Sequence, residues 1–182
     1  MKNYITFTLI GLITFLFGLE NKFALDVDNS KLVFELGELQ ISNDKSFSNI
    51  KSEGFGSISL NGVPDLPIFS TMYQLKPGKQ INVDYNVLES HIIENVNLKS
   101  FNNNIESDEI IKFSSPNNFP LENILISEPK IMRDIQFVKI SLIPFIYNSN
   151  NSTLEIFDEV EIEIIEIDNP NYISGNEIDG SY

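Results

Sequence analysis

The sequence predicts an all-β protein, an antiparallel β-sandwich of jelly-roll type, and three observations carry that prediction. From Leu25 onward, apolar and polar residues alternate over short stretches. Gly, Pro and Asn clusters punctuate those stretches roughly every 8–12 residues, the rhythm of sandwiches and barrels. Beyond the N-terminus no segment keeps helical periodicity for more than a turn or two. The length of 182 residues suits one domain of about 150 residues, enough to bury roughly two-thirds of the surface an unfolded chain exposes.

The N-terminus is the exception to the strand pattern. Met1-Lys2-Asn3-Tyr4 is followed by an apolar run from Ile5 to Leu19, too short for a bilayer span of roughly 20 residues and suited to the apolar core of an export signal. Gly18 and Ala24 are both small enough to precede the cut, and residues 1–24 are assigned to the signal. Losing them removes Lys2, Lys22 and Glu20, so the exported part is one unit more acidic than the whole. A single β-domain then spans 25–168, followed by a polar tail at 169–182. The chain is expected at the cell surface or outside the cell, by way of the periplasm, with no stable membrane span once the signal is gone.

Lys31–Leu36 places Leu32, Phe34 and Leu36 on one face, the period of a half-buried strand. Ser57–Leu60 then runs into Asn61-Gly62-Val63-Pro64-Asp65-Leu66-Pro67, where Asn-Gly and two prolines interrupt pairing. A new strand begins near Ile68 and ends in the Pro77-Gly78 turn. Gln80–Leu88 resumes with Ile81, Val83, Tyr85 and Val87 on one side, and Ile92–Leu98 is expected to pair with it after a tight connection at Glu89-Ser90. Residues 101–123, with two Asn-rich clusters around Ile110-Ile111-Lys112-Phe113, read as a long surface excursion, a kind of loop that is usually functional.

Phe137–Ile146 and Thr153–Ile167, joined by the turn residues 148–152, read as a long β-hairpin. In the return strand Val160, Ile162 and Ile164 face inward and Glu159, Glu161 and Glu163 outward, so the acidic row is expected on a sheet edge, where charge discourages edge-to-edge pairing.

Composition removes several function classes. There are 26 acidic residues against 12 basic ones, a net charge of −14 and a pI near 4.3, the wrong sign for contacting a nucleic-acid backbone. With no Cys there is no thiolate nucleophile or thiolate metal site, and with one His, His91, there is no histidine cluster. The glutamates at 159, 161 and 163 stand about 7 Å apart on a strand, too far to share one calcium ion, so no metal or other cofactor is expected. Phosphate-loop, GxSxG and HExxH patterns are missing, and His91 reads as a surface histidine. No catalytic residue is assigned.

Two ordered segments do resemble a known family. Gly62, Pro64, Leu66 and Pro67, followed by Pro77 and Gly78, resemble the G-x-P-x-L-P … P-x-G opening of the propeptide of gingipain-like, caspase-fold cysteine peptidases. Arg133-Asp134, then Pro144, Tyr147 and Asn148, then Leu154–Phe157, resemble that propeptide's R-D … P-x-x-Y-N … L-x-V-Y stretch. The resemblance implies a β-sandwich prodomain that precedes the catalytic domain, helps it fold, and keeps it latent until it is removed. It also implies a partner, the cognate caspase-like catalytic domain, whose catalytic motifs are absent from this chain.

In arginine- and lysine-specific relatives a basic side chain of the prodomain is expected to fill the specificity pocket. Lys112, the basic residue of the long excursion, is the candidate inhibitory-loop anchor, chosen by position because no family motif covers it. Arg133, the only arginine, reads first as half of a structural ion pair with Asp134. The competing reading is an exported β-sandwich that serves as a stand-alone adhesion or binding module.

Overall fold

The computed structural model describes residues 22–26, 31–44, 46–53, 56–101 and 112–171. The apolar run of the expected export signal, residues 102–111 and nearly all of the expected tail lie outside them. Among the described residues the chain is all strand and turn, without a helix.

Five strands form the first sheet: β1 (Lys22–Asp26), β2 (Lys31–Glu35), β7 (Lys79–Ile93), β11 (Phe145–Asn148) and β12 (Thr153–Asp168). β12 is its spine. It pairs with β7 along Leu154–Asp168 on one side, and on the other with β11 over Thr153–Ile156 and β2 over Glu159–Glu163. β1 pairs outside β2 and includes Ala24, opposite Val33. The second sheet contains β5 (Gly56–Ser57), β6 (Pro67–Leu75), β8 (Ile124–Ile126), β9 (Lys130–Met132) and β10 (Ile135–Leu142). Here β10 is the spine, with β6 on one edge and β8 and β9 in tandem on the other. β3 (Leu39–Asp44) and β4 (Phe47–Ser52) make a separate hairpin, tied to the body where Ser48 N–H donates to Asn97 O at 2.8 Å.

The two large sheets close on one core. Phe34, Val160 and Ile162 from the first sheet and Phe69, Ile140 and Leu142 from the second are all fully buried. The Phe34 and Phe69 rings meet at 4.8 Å between centroids, in a tilted pair. This arrangement bears out the all-β antiparallel sandwich, and Leu32, Phe34, Val160, Ile162 and Ile164 face inward as their alternation requires.

Three local expectations are corrected. Phe137–Ile146 is not one strand paired with the 153–167 strand: β10 belongs to the second sheet, and the chain crosses to the first at Ile143-Pro144. Pro144 has no N–H to give a ladder, and its carbonyl accepts from Phe157 N–H at 2.9 Å. The glutamate row lies on the central strand β12, not on an edge, with Glu161 bonded to Lys31 at 2.8 Å. The expected turn at Glu89-Ser90 is also absent, because β7 runs straight through it. Register shifts beside Phe157, Glu159 and Val160 absorb Asp158 on one strand and Leu88 on the other, a paired irregularity of the β-bulge kind.

The described half of the expected surface excursion is knitted into the body. Phe113 N–H donates to Leu98 O at 3.0 Å, and Phe119 exchanges backbone bonds with Tyr147 at 2.9 and 2.7 Å. Phe113 is buried and packs its ring against Phe119 and Tyr147.

Candidate functional site

Most family-motif residues turn out to build the scaffold. Gly62 has φ +85° in the turn that Val63 N–H closes onto Leu60 O, a conformation that strains any other residue. Pro77 and Gly78 occupy the middle of a turn closed by Lys79 N–H to Lys76 O at 3.1 Å; φ of 76° at Gly78 is the type II pattern, with proline first and glycine second. Pro64, Leu66 and Pro67 are buried, as is Pro144 at the sheet crossing. Tyr147 is fully buried, and its hydroxyl donates to Val96 O at 3.2 Å while accepting from Leu98 N–H at 3.4 Å. Asn148 Oδ1 accepts from the N–H groups of Asn150 and Asn151, stabilising the turn into β12.

Arg133 and Asp134 are different. They form the two-residue loop of the β9–β10 hairpin, with φ of 49° and 66°, the signature of a type I′ turn. Both are exposed, and they make no ion pair with each other, so the structural pair expected from their adjacency does not form. The turn geometry explains this: two consecutive left-handed residues direct their side chains apart at a solvent-facing tip.

The strands below that tip present a surface the sequence reading missed. Alternation along β6, β9 and β10 puts Met72, Lys130, Met132, Ile135, Phe137 and Lys139 on the side away from the core. Met72 is 62% exposed, Met132 63% and Ile135 47%. Leu125, opposite Ser141, extends the same face toward an apolar groove of about 600 Å³ lined by Leu60, Phe113, Phe119 and Leu121. Exposed large apolar side chains in one contiguous patch mark an interaction surface, and methionine suits such surfaces because it adapts its shape. The missed signal was the second face of β10, where Ile135, Phe137 and Lys139 alternate with the core residues.

The first sheet carries its charge otherwise. Lys31, Lys76 and Lys79 bond Glu161, Glu166 and Asp168 of β12 at 2.8, 2.8 and 2.6 Å. The hydrogen bond from Lys79 holds the Asp168 carboxyl below its ordinary range, and the one to Glu166 raises Lys76. Burial, followed by the nearby Glu166 charge, raises the Tyr73 hydroxyl. His91 is half exposed, with Nδ1 2.6 Å from Asp158 Oδ2 at the strand irregularity. Lys112 is exposed and lies opposite Lys99 in an isolated antiparallel bridge, far along the chain from the Arg133 tip. Among the described residues no group of three His, Asp or Glu is placed to hold a metal, and no helix is long and apolar enough to cross a membrane.

This two-sheet architecture has counterparts among solved structures. The chain is similar to one in the complex of Porphyromonas gingivalis RgpB pro- and mature domains, at 23% identity and a TM-score of 0.65, over 87% of this chain and 90% of that one. It is also similar to a chain from the structure that describes the zymogenic latency of gingipain K from Porphyromonas gingivalis, at 12% identity and a TM-score of 0.58, over 81% of this chain and 93% of that one. At such identities the likeness is one of fold. No curated protein matches the chain. The model of the Propeptide_C25 family matches residues 26–178, which contain every motif residue described above and both sheets except the start of β1. The chain thus belongs to the Propeptide_C25 family.

Proposed function

We propose that this chain is the latency and folding module of an exported gingipain-like cysteine peptidase, and that it docks on its catalytic domain through the outer face of the second sheet. The family match over residues 26–178 carries the reading. The apolar and basic face around Met72, Met132, Ile135, Lys130 and Lys139 supplies area for docking, and the absence of a carboxylate among these residues suits a partner that brings its own.

Arg133 is the anchor that the geometry supports best. Among the described residues it has no ion pair, and it stands at the tip of a hairpin whose base is fixed in the sheet, so little side-chain or backbone freedom is lost elsewhere on binding. A guanidinium there can take a carboxylate in a specificity pocket with two parallel hydrogen bonds. Its φ of 49° is far from an extended backbone, so the bond after Arg133 is not presented as a substrate strand. Lys112, the anchor expected from the sequence, opens the described stretch 112–171 and sits opposite another lysine.

The working domain, expected from the sequence over 25–168, then begins with β1 at Lys22, and the 169–182 tail leads toward a catalytic domain. Ala24 is paired within β1, which supports a signal cut after Gly18. Export through the periplasm to the surface or beyond fits this role.

Titrating the signal-free chain against a gingipain-like catalytic domain tests the reading. Nanomolar inhibition is expected, weakened on the order of 30-fold or more by Arg133→Ala, as befits a central anchor, and unchanged by Lys112→Ala. Inhibition lost with Lys112→Ala but kept with Arg133→Ala would move the anchor to Lys112. Absence of binding at micromolar concentration would leave the adhesion reading.

A further inference from the structure

We propose that the cleft between β4 and the segment 97–101 binds an acidic polypeptide segment in extended conformation. The cleft, of about 410 Å³, is lined by Ile50 and Lys51 of β4, by Ser57 and Asp65, and by Lys99 and Phe101. It lies apart from the Arg133 hairpin, and this inference does not depend on the docking face proposed above.

Charge is the first argument. In a chain with 26 acidic residues, Lys31, Lys76 and Lys79 all find carboxylates on β12. Lys51 and Lys99, both exposed, have no ion pair among the described residues. Lys112 stands directly opposite Lys99. Like charges facing each other across a strand pair are unfavourable, and a carboxylate between them reverses that. Asp65, at the same cleft, already accepts from Ser59 Oγ at 3.4 Å.

The backbone is the second argument, and it selects a peptide over a simple anion. β4 pairs with β3 along one edge only. On the other edge Ser48 N–H reaches Asn97 O at 2.8 Å, which fixes the direction of its peptide groups. Alternation turns the N–H and C=O of Ile50 to that same edge, toward the cleft, where no strand is paired with them among the described residues. Ile50 is 6% exposed, and shielded backbone groups favour a partner. An extended chain laid along β4 supplies one, with alternate side chains about 7 Å apart to reach the lysines.

A fluorescein-labelled heptapeptide alternating Glu with Val tests this by anisotropy against the signal-free chain. The acidic chain, −14 over its full length, repels such a peptide over most of its surface, and the lysine variants tell the cleft from the basic face of the second sheet. Saturable one-to-one binding is expected, with Ile50 amide exchange slowed in the complex. Lys51→Ala with Lys99→Ala together should weaken binding on the order of tenfold or more, Lys51→Arg with Lys99→Arg should retain it, and a Gln-for-Glu peptide should not bind. Absence of binding, or binding indifferent to the double alanine variant, overturns the proposal. So does inorganic phosphate that binds as tightly as the peptide while Ile50 exchange stays unchanged, which would mark an oxyanion patch.

Discussion

The outer faces of the two sheets solve the same problem in opposite ways. On the first sheet Glu159, Glu161 and Glu163 of β12 turn away from the core with Lys31 bonded to Glu161 among them, and Glu166 and Asp168, on the core-facing register at the end of the strand, bond Lys76 and Lys79. On the second sheet Met72, Met132 and Ile135 are exposed beside Lys130 and Lys139, which have no acidic partner among the described residues. A sheet whose neighbouring lysines are taken up by its own carboxylates offers a partner no free cation, whereas a face with free cations beside bare apolar surface is arranged for one. The fold separates the two roles across one core.

That separation depends first on the core holding both sheets at one distance. Phe69→Ala removes a fully buried ring that meets Phe34 at 4.8 Å between the sheets. Urea unfolding should show a loss of about 3–5 kcal/mol, the usual cost of deleting a buried phenylalanine, and inhibition should fall with it. A loss below about 1 kcal/mol would mean the sheets are held by something other than this contact.

The next experiment sets face against face. Met132→Asp places a carboxylate in the exposed patch beside the Arg133 tip and should weaken inhibition on the order of tenfold, leaving the unfolding midpoint nearly unchanged. Glu163→Lys, a charge reversal on the exposed part of β12, should leave inhibition unaltered. If Glu163→Lys weakens inhibition and Met132→Asp does not, the docking face is on the first sheet.

The sequence made some of this contrast readable and concealed the rest. Residues whose behaviour is local were legible: the Pro77-Gly78 turn, the alternation of Val160, Ile162 and Ile164, and the Asn61-Gly62 break all depend on φ preference or period alone. Pairing was not, because it depends on which strand lies alongside. β10 and β12 flank a turn-like cluster and look like a hairpin, yet Pro144 sends them to different sheets. The β3–β4 hairpin went unnoticed because Ser42, Asn43, Ser46 and Ser48 dilute its apolar period. The site suffered most. Arg133-Asp134 lacks the glycine that advertises a type I′ turn, so an exposed tip looked like an internal ion pair.

The smallest expected effect probes the ion pairs at the end of β12 by their pH dependence. Lys79 holds the Asp168 carboxyl below its ordinary range, so the folded state favours the ionised form more than the unfolded chain does. The stability this contributes is present above the unfolded carboxylate value of about 3.9 and is lost as pH falls through the lowered folded value. Lys79→Met should therefore be slightly less stable than the parent at neutral pH, with the difference vanishing at strongly acid pH and shrinking in high salt, because both groups are solvent-screened. Lys76→Met should behave in the opposite sense at the alkaline end. The pKa of Lys76 is raised by Glu166, so its contribution is present below the unfolded lysine value of about 10.4 and lost as pH climbs through the raised one. Thermal unfolding of the three proteins across the pH range reads both windows. A Lys79→Met difference that persisted unchanged into strong acid would mean that the first sheet is not balancing its charge through this pair, and that half of the contrast between the faces would need another basis.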